Sequence, residues 1–293
     1  MFKRIFLFIA MNALVITTIS IVLSVLNVRP YLNAYGVDYV SLLIFCGVWG
    51  ITGAFISLLL SKQMAKWMMH IEIVSSHDKL YKMVEELSRK AGLSHVPEVG
   101  IFTSQDMNAF ATGPTQKHSL VAVSTALLHK MPEDELRAVL GHEVAHIANG
   151  DMVTMTLLQG VVNAFVMFLA RVLAFAFSGL GKDRDSRSGS YLSFSIFTML
   201  FEVVFMILGA IVIASFSRYR EFKADKGSAD LIGKRAMIAA LERLGKQRES
   251  IQEVKAESLR AMMISQPGKR GLLSLFATHP PIEERIAHLE RGY

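Results

Sequence analysis

Apolar and charged residues are segregated into long blocks along this chain. Ile5 to Leu26 is one run without a charged side chain, and Tyr39 to Leu60 is a second. Each is about 22 residues, enough to cross a hydrocarbon core of about 30 Å at 1.5 Å per helical residue. Met152 to Phe177 is a third run, broken by Gln159, Asn163 and Arg171. Tyr191 to Phe216 is a fourth, broken by Glu202. Four membrane-spanning helices are expected. Arg171 and Glu202 stand at similar distances from the loop between runs three and four, so an antiparallel hairpin would set them at one depth. A charge inside a bilayer needs a partner, so the two are expected to pair or to share a water-filled cavity. The plainer alternative is that each snorkels to an interface.

The polar blocks carry shorter periods. His77 to Ala91 has Leu80, Met83, Val84 and Leu87 at helical spacing and stops at Gly92. Val99 to Thr103, Ala109 to Thr112 and Ser119 to Ser124 read as strands separated by turn residues. A helix is expected from Pro132, with Glu133, Asp134 and Glu135 at its positive end and Leu136, Val139 and Leu140 at helical spacing. Ser217 to Tyr293 reads as mostly helical, with a break at Gln266 to Gly271. The fold class is therefore an α+β integral membrane protein, its polar part mostly helical with a small β-sheet.

Composition agrees: 52% of residues are apolar and the mean hydropathy is +0.38, high for a soluble enzyme. The first run is too long for a cleaved signal, and no small-x-small site precedes Asn27-Val28-Arg29-Pro30, so a retained anchor is expected. The single cysteine, Cys46, excludes an intrachain disulfide and reads as a small lipid-phase side chain. Lys3, Arg4, Lys62, Lys66, Arg218, Arg220, Lys223 and Lys226 flank the runs, whereas the loop Asn27 to Asp38 holds only Arg29. Both termini and both polar blocks are thus expected in the cytoplasm. The basic loop Lys182 to Arg187 pulls against this; crossing is preferred to a shallow hairpin. The charge of +6 calls for no nucleic acid. Fifteen of 31 basic residues follow Ser217 beside ten acidic ones, without aromatic–basic interleaving. Attraction to an anionic leaflet of the lipid bilayer suffices.

The chemistry is concentrated in His142-Glu143-Val144-Ala145-His146. Helix positions four apart face the same way, so both imidazoles can grip one Zn²⁺ while Glu143 is placed to take a proton from water. The bland alternative is two surface histidines on an ordinary helix. A catalytic zinc usually takes three protein ligands. The best third candidate is Glu221, which shares a helix face with Asp225. Glu221 could ligate while Asp225 accepts a hydrogen bond from a ligand histidine; an amphipathic surface helix is the alternative. If runs three and four form a hairpin, their flanks at His146 and Glu221 become neighbours. The metal would then lie within about 10–15 Å of the membrane surface.

His142-Glu143-x-x-His146, with Glu221-x-x-x-Asp225 downstream and an apolar hairpin between them, resembles the gluzincin group that contains the bacterial HtpX membrane peptidases and the CAAX prenyl proteases. Four apolar runs resemble the former; the latter carry more spans. Asn108 to Gly113 resembles the family's Asn-Ala segment on a strand beside the cleft. Thr278-His279-Pro280-Pro281, followed by Arg285, resembles its C-terminal His-Pro motif. The resemblance implies a gluzincin-like zinc peptidase domain on the cytoplasmic side. One Zn²⁺ per chain would be held by His142, His146 and Glu221, with Glu143 as base and His279 in a catalytic role. Asn108 and His279 would bind substrate backbone or the developing oxyanion; by themselves they read as a turn residue and a loop histidine. The remaining histidines, His70, His77, His95, His118, His129 and His288, have no metal spacing.

The expected organisation is an N-terminal transmembrane hairpin (1–60), a first part of the catalytic domain (61–151), a second hairpin (152–216) and a second catalytic part (217–293). The resemblance further implies quality control under stress at the bacterial inner membrane. Its partners would be membrane-protein substrates and other membrane quality-control proteases. A narrow processing protease of the CAAX kind is one alternative. A non-catalytic scaffold with a structural zinc is another, and Glu143 argues against it, because a structural site needs no base.

Overall fold

The computed structural model describes residues 38–178, 187–260 and 277–292. The first apolar run, the basic residues before Asp38, most of the loop at 182–187 and the break at 266–271 lie outside the described residues. In chain order the described elements are α1 (Tyr39–Met68), β1 (Glu72–Ile73), α2 (Lys79–Lys90), β2 (Glu98–Phe102), β3 (Ala109–Thr112), β4 (Leu120–Ser124), α3 (Thr125–Lys130), α4 (Glu133–Asn149), α5 (Asp151–Ser178), α6 (Arg187–Ile232), α7 (Lys234–Arg260) and α8 (Ile282–Arg291). Contacts divide the chain into two compact units: Met1–Ser57 with Thr154–Ile213, and Leu58–Val153 with Ala214–Tyr293.

The first unit holds the apolar parts of α1, α5 and α6. Among the described residues, these three helices are long and apolar enough to cross a membrane. A fourth, at Ile5 to Leu26, falls outside the described residues. Helices α1 and α5 approach closely because their facing residues are small: a Cβ on Gly50 would lie 2.7 Å from Ala164 N. Small residues serve this purpose in membranes, where burial of apolar surface cannot drive association. Cys46 is fully buried in a cluster with Phe168, Leu169 and Val172, so it is a packing residue and not a lipid-facing one. Arg171 Nη1 lies 3.0 Å from Glu202 Oε1, so the two intramembrane charges pair.

The second unit is built on a four-stranded sheet in the order β1-β2-β4-β3. Strands β2 and β4 run parallel, in register from Glu98↔Leu120 to Phe102↔Ser124; the other pairs are antiparallel. Strand β4 lies inside the sheet with every residue buried, while β3 forms one edge. The two-residue β1 is too short to leave a periodicity and is absent from the sequence expectation. Helix α2 begins where Asp78 accepts a hydrogen bond from Leu80 N (2.7 Å) and ends before Gly92, whose φ is +72°. Val84, Leu87, Val121, Val123, Leu140, Val144 and Ile147 lie in one core, which Met237, Leu241 and Leu289 complete.

Helix α6 is 46 residues long and runs unbroken from the fourth apolar run through Glu221 and Asp225. It stops only at Gly233, whose φ is +109°.

Candidate active site

Helix α4 presents the first two site histidines. Pro132 sits just before it with extended ψ (153°), accepting from Leu136 N, so the expected first-turn proline is the residue preceding the helix. Glu133, Asp134 and Glu135 occupy the first turn, and Arg243 pairs with Glu135. From Ala138 to Ile147 every residue is buried, so the two histidines do not lie on an ordinary surface helix. The helix ends at Gly150 in the left-handed conformation (φ +66°), and the turn brings Asp151 back beneath it.

His142 and His146 meet edge to face, with ring centroids 4.6 Å apart. His142 Nδ1 lies 2.9 Å from Asp225 Oδ1, and His146 Nδ1 lies 2.6 Å from Asp151 Oδ2. A carboxylate accepts, so each Nδ1 carries a proton and each Nε2 is left with a lone pair. The two Nε2 atoms are 3.1 Å apart. Glu221 completes the group: Oε2 is 3.4 Å from His142 Nε2 and Oε1 is 3.3 Å from His146 Nε2. Glu221 is fully buried, and its Oε1 has no hydrogen-bond partner.

Two lone pairs facing each other beside an unsatisfied buried carboxylate oxygen require a proton or a cation between them. Ligand atoms of His142, His146 and Glu221 lie within 4.8 Å of one another. Two imidazoles and one carboxylate suit a borderline metal such as zinc, and the all-oxygen preference of calcium or magnesium argues against those ions. The cluster is therefore positioned to hold a single zinc ion.

Without a metal, a proton on His142 serves in its place. Burial disfavours the charged form of His142, but hydrogen bonds to Asp225 and Glu221 outweigh it and raise its pKa to about 9. Burial and the neighbouring His142 oppose charge on His146; Asp151 and Glu221 outweigh both, and its pKa also rises. Arg285 is buried as well, and Asp225 more than offsets the desolvation, so it stays charged. It grips Asp225 with two bonds, Nε to Oδ2 at 2.7 Å and Nη2 to Oδ1 at 2.5 Å.

Helix α6 reaches α4 through small residues. Ser228 Oγ donates to Ala138 O (2.6 Å), and a Cβ on Gly227 would lie only 2.8 Å from Ala145 Cβ. This contact sets Glu221 and Asp225 over the two histidines.

The other candidate site residues, Glu143, Asn108 and His279, line the cavity beside this cluster. Asn108 exchanges backbone bonds with Ser124, its N donating to Oγ (3.0 Å) and its O accepting from N (2.9 Å). It lines a cavity with Ala109, His142, Glu143, Glu221 and His279. His279 turns Nδ1 to Glu221 Oε2 (2.8 Å), while its ring remains largely exposed. Sequence reasoning missed Asp151 altogether, and it noted Arg285 only as part of a resembled motif. An aspartate following Gly150 at the end of a two-histidine helix was the available signal for Asp151.

The fold and the cluster together define a zinc metalloendopeptidase in a multi-pass membrane protein. The family model for Peptidase family M48 matches residues 75–292, and the chain belongs to that family. It is 46% identical over 301 residues to the "Protease HtpX homolog" of Bacillus licheniformis, covering 98% of this chain and 99% of the relative. The "Protease HtpX homolog" of Albidiferax ferrireducens is 48% identical over 297 residues, covering 99% of each chain. The "Protease HtpX" of Hahella chejuensis is 45% identical over 294 residues, covering 98% of each. A crystal structure of S. mikatae Ste24p shares the fold, with a TM-score of 0.61 over 99% of this chain and 67% of that one, at 17% identity.

Proposed function

We propose that this enzyme cleaves damaged or misfolded membrane proteins on the cytoplasmic side of a bacterial inner membrane. The observation that carries the reading is the convergence of His142 Nε2, His146 Nε2 and the Glu221 carboxylate, with each histidine Nδ1 held by a buried carboxylate. Zinc held there supplies Lewis-acid polarisation of water and of the scissile carbonyl. Glu143, in the same cavity, takes a proton from water and returns it to the leaving amine. Asp225 and Asp151 keep both rings in the tautomer that offers Nε2, and Arg285 keeps Asp225 ionised and aligned. His279 and Asn108 face the cavity, suited to the substrate carbonyl oxygen and backbone; His279 also steadies Glu221.

Substrate binding uses the edge strand β3. Among the described residues no strand pairs with its outer side, which suits it to add an extended segment by main-chain hydrogen bonds that read little sequence. That supports a broad substrate range over a narrow processing role. The basic residues flanking the apolar runs support a cytoplasmic catalytic domain and termini, with 61–151 and 217–293 as its two parts and 1–60 and 152–216 as hairpins.

The test is zinc content per chain in detergent together with casein cleavage, for wild type, Glu143→Ala and Glu221→Ala. Wild type and Glu143→Ala should each hold one zinc, with cleavage down by about 10²–10⁴ in the variant. Glu221→Ala should bind zinc weakly. Loss of zinc in Glu143→Ala would overturn the division between ligands and base.

A further inference from the structure

The Arg171–Glu202 pair lies between two apolar helices long enough to cross a membrane, yet it is not fully covered. The side chains are 28% and 35% exposed. Arg171 Nη1 donates to Glu202 Oε1 (3.0 Å) and to Met167 O (2.9 Å). Among the described residues these are the hydrogen bonds the pair makes, which leaves Arg171 Nε and Nη2 and Glu202 Oε2 without one. Inside a bilayer such groups are costly until a polar partner arrives.

The surrounding surface is suited to a variable partner. Met199 and Met206 stand about one turn on either side of Glu202 and are 65% and 57% exposed. Val203 and Ile207 extend the exposed apolar surface beside them. Methionine side chains are unbranched and polarizable and recur on surfaces that accept many partners. An adaptable apolar rim around unsatisfied donors and an acceptor fits an apolar helix that carries an amide or hydroxyl side chain.

We propose that this intramembrane face docks transmembrane helices of substrate proteins that expose an unpaired Ser, Thr, Asn or Gln. Such a side chain marks a span that has lost its own partner helices, so the face would select unassembled membrane proteins before any bond is cut. The inference rests on the reading of the enzyme as a protease of membrane proteins and names how such substrates are recognised.

The experiment uses the full-length zinc enzyme in proteoliposomes. Two single-span substrates share one cytoplasmic tail, and the centre of the span is Asn in one and Leu in the other. Wild type should cleave the Asn substrate with kcat/KM roughly three- to tenfold higher, the factor an interhelical hydrogen bond supplies in a membrane. In Arg171→Leu/Glu202→Leu that ratio should fall to about one. Equal rates in wild type, or a ratio that survives in the double variant, would overturn the proposal.

Binding is read separately by photocrosslinking from positions 199 and 206 in a Glu143→Ala background, which does not require cleavage or the double variant to fold. The Asn substrate should crosslink more than the Leu substrate. Crosslinks only to the chain's own Ile5–Leu26 run, or to a second copy, would assign the face to that occupant instead. Failure of wild type to cleave either substrate or casein would remove the protease reading, whereas the crosslinking result would stand by itself.

Discussion

Each ligand histidine in this protein depends on a carboxylate that holds its other nitrogen. Asp225 was visible in the sequence because it lies four residues after Glu221 on one helix, where shared direction follows from the helical period. Asp151 was not, because a left-handed residue at Gly150 intervenes and periodicity says nothing about direction across such a turn. Asp151→Ala is expected to weaken zinc affinity by about 10- to 100-fold while the fold persists, measured by chelator competition in detergent. The raised pKa of His142, about 9, has a consequence of definite sign. In the metal-free protein the protonated ring stabilises the fold fully below its unfolded value of 6.5, and this contribution is lost as pH rises through about 9. Zinc must displace that proton, so apparent zinc affinity should climb with pH from 6.5 to 9 and level off above. A flat profile in competition titrations would show that the metal-free ring is already neutral.

Among the elements, the contact of α4 with α6 decides whether a site exists. Both helices were expected, and α2 and three strands matched their periods within a residue or two. The unbroken passage of α6 from an apolar run into the Glu221 turn is a matter of missing breakers, since no proline or left-handed residue interrupts it before Gly233. What the periods could not show is that Gly227 faces Ala145. Gly227→Ala should cost about 1–3 kcal/mol by overpacking and carry Glu221 away from the histidines. Zinc per chain should fall, and Ala145→Gly in the same chain should restore it; no recovery would mean that the helices are set by other contacts.

In the whole molecule, a zinc ion held by His142, His146 and Glu221 would tie α4 to α6 within the unit of Leu58–Val153 and Ala214–Tyr293. A ligand at about 100 times its Kd stabilises the folded state by about 2.7 kcal/mol. Chelation should therefore lower the melting temperature and open proteolytic sites in that unit, while Thr154–Ile213 stays protected in its micelle. Restored zinc should reverse both. Cuts appearing equally in both units would show that the metal stabilises more than its own unit. The apolar runs of α1, α5 and α6 needed only a count of residues to recognise, because bilayer thickness sets their length.

What the sequence by itself determined was local: run lengths, helical and strand periods, the five-residue motif, and the pairing of Glu221 with Asp225 on one face. Those follow from the geometry of a single element. Only the tertiary structure decided which carboxylate holds which histidine, that Arg285 closes on Asp225, that His279 turns to Glu221, that Cys46 packs inward and that β3 is an edge. Each of these depends on two or more elements meeting in space. Apart from Asp151 and His146, which a left-handed turn brings together, the contacts between elements at the ligand cluster join residues 58 to 143 positions apart, and no period along the chain encodes that distance.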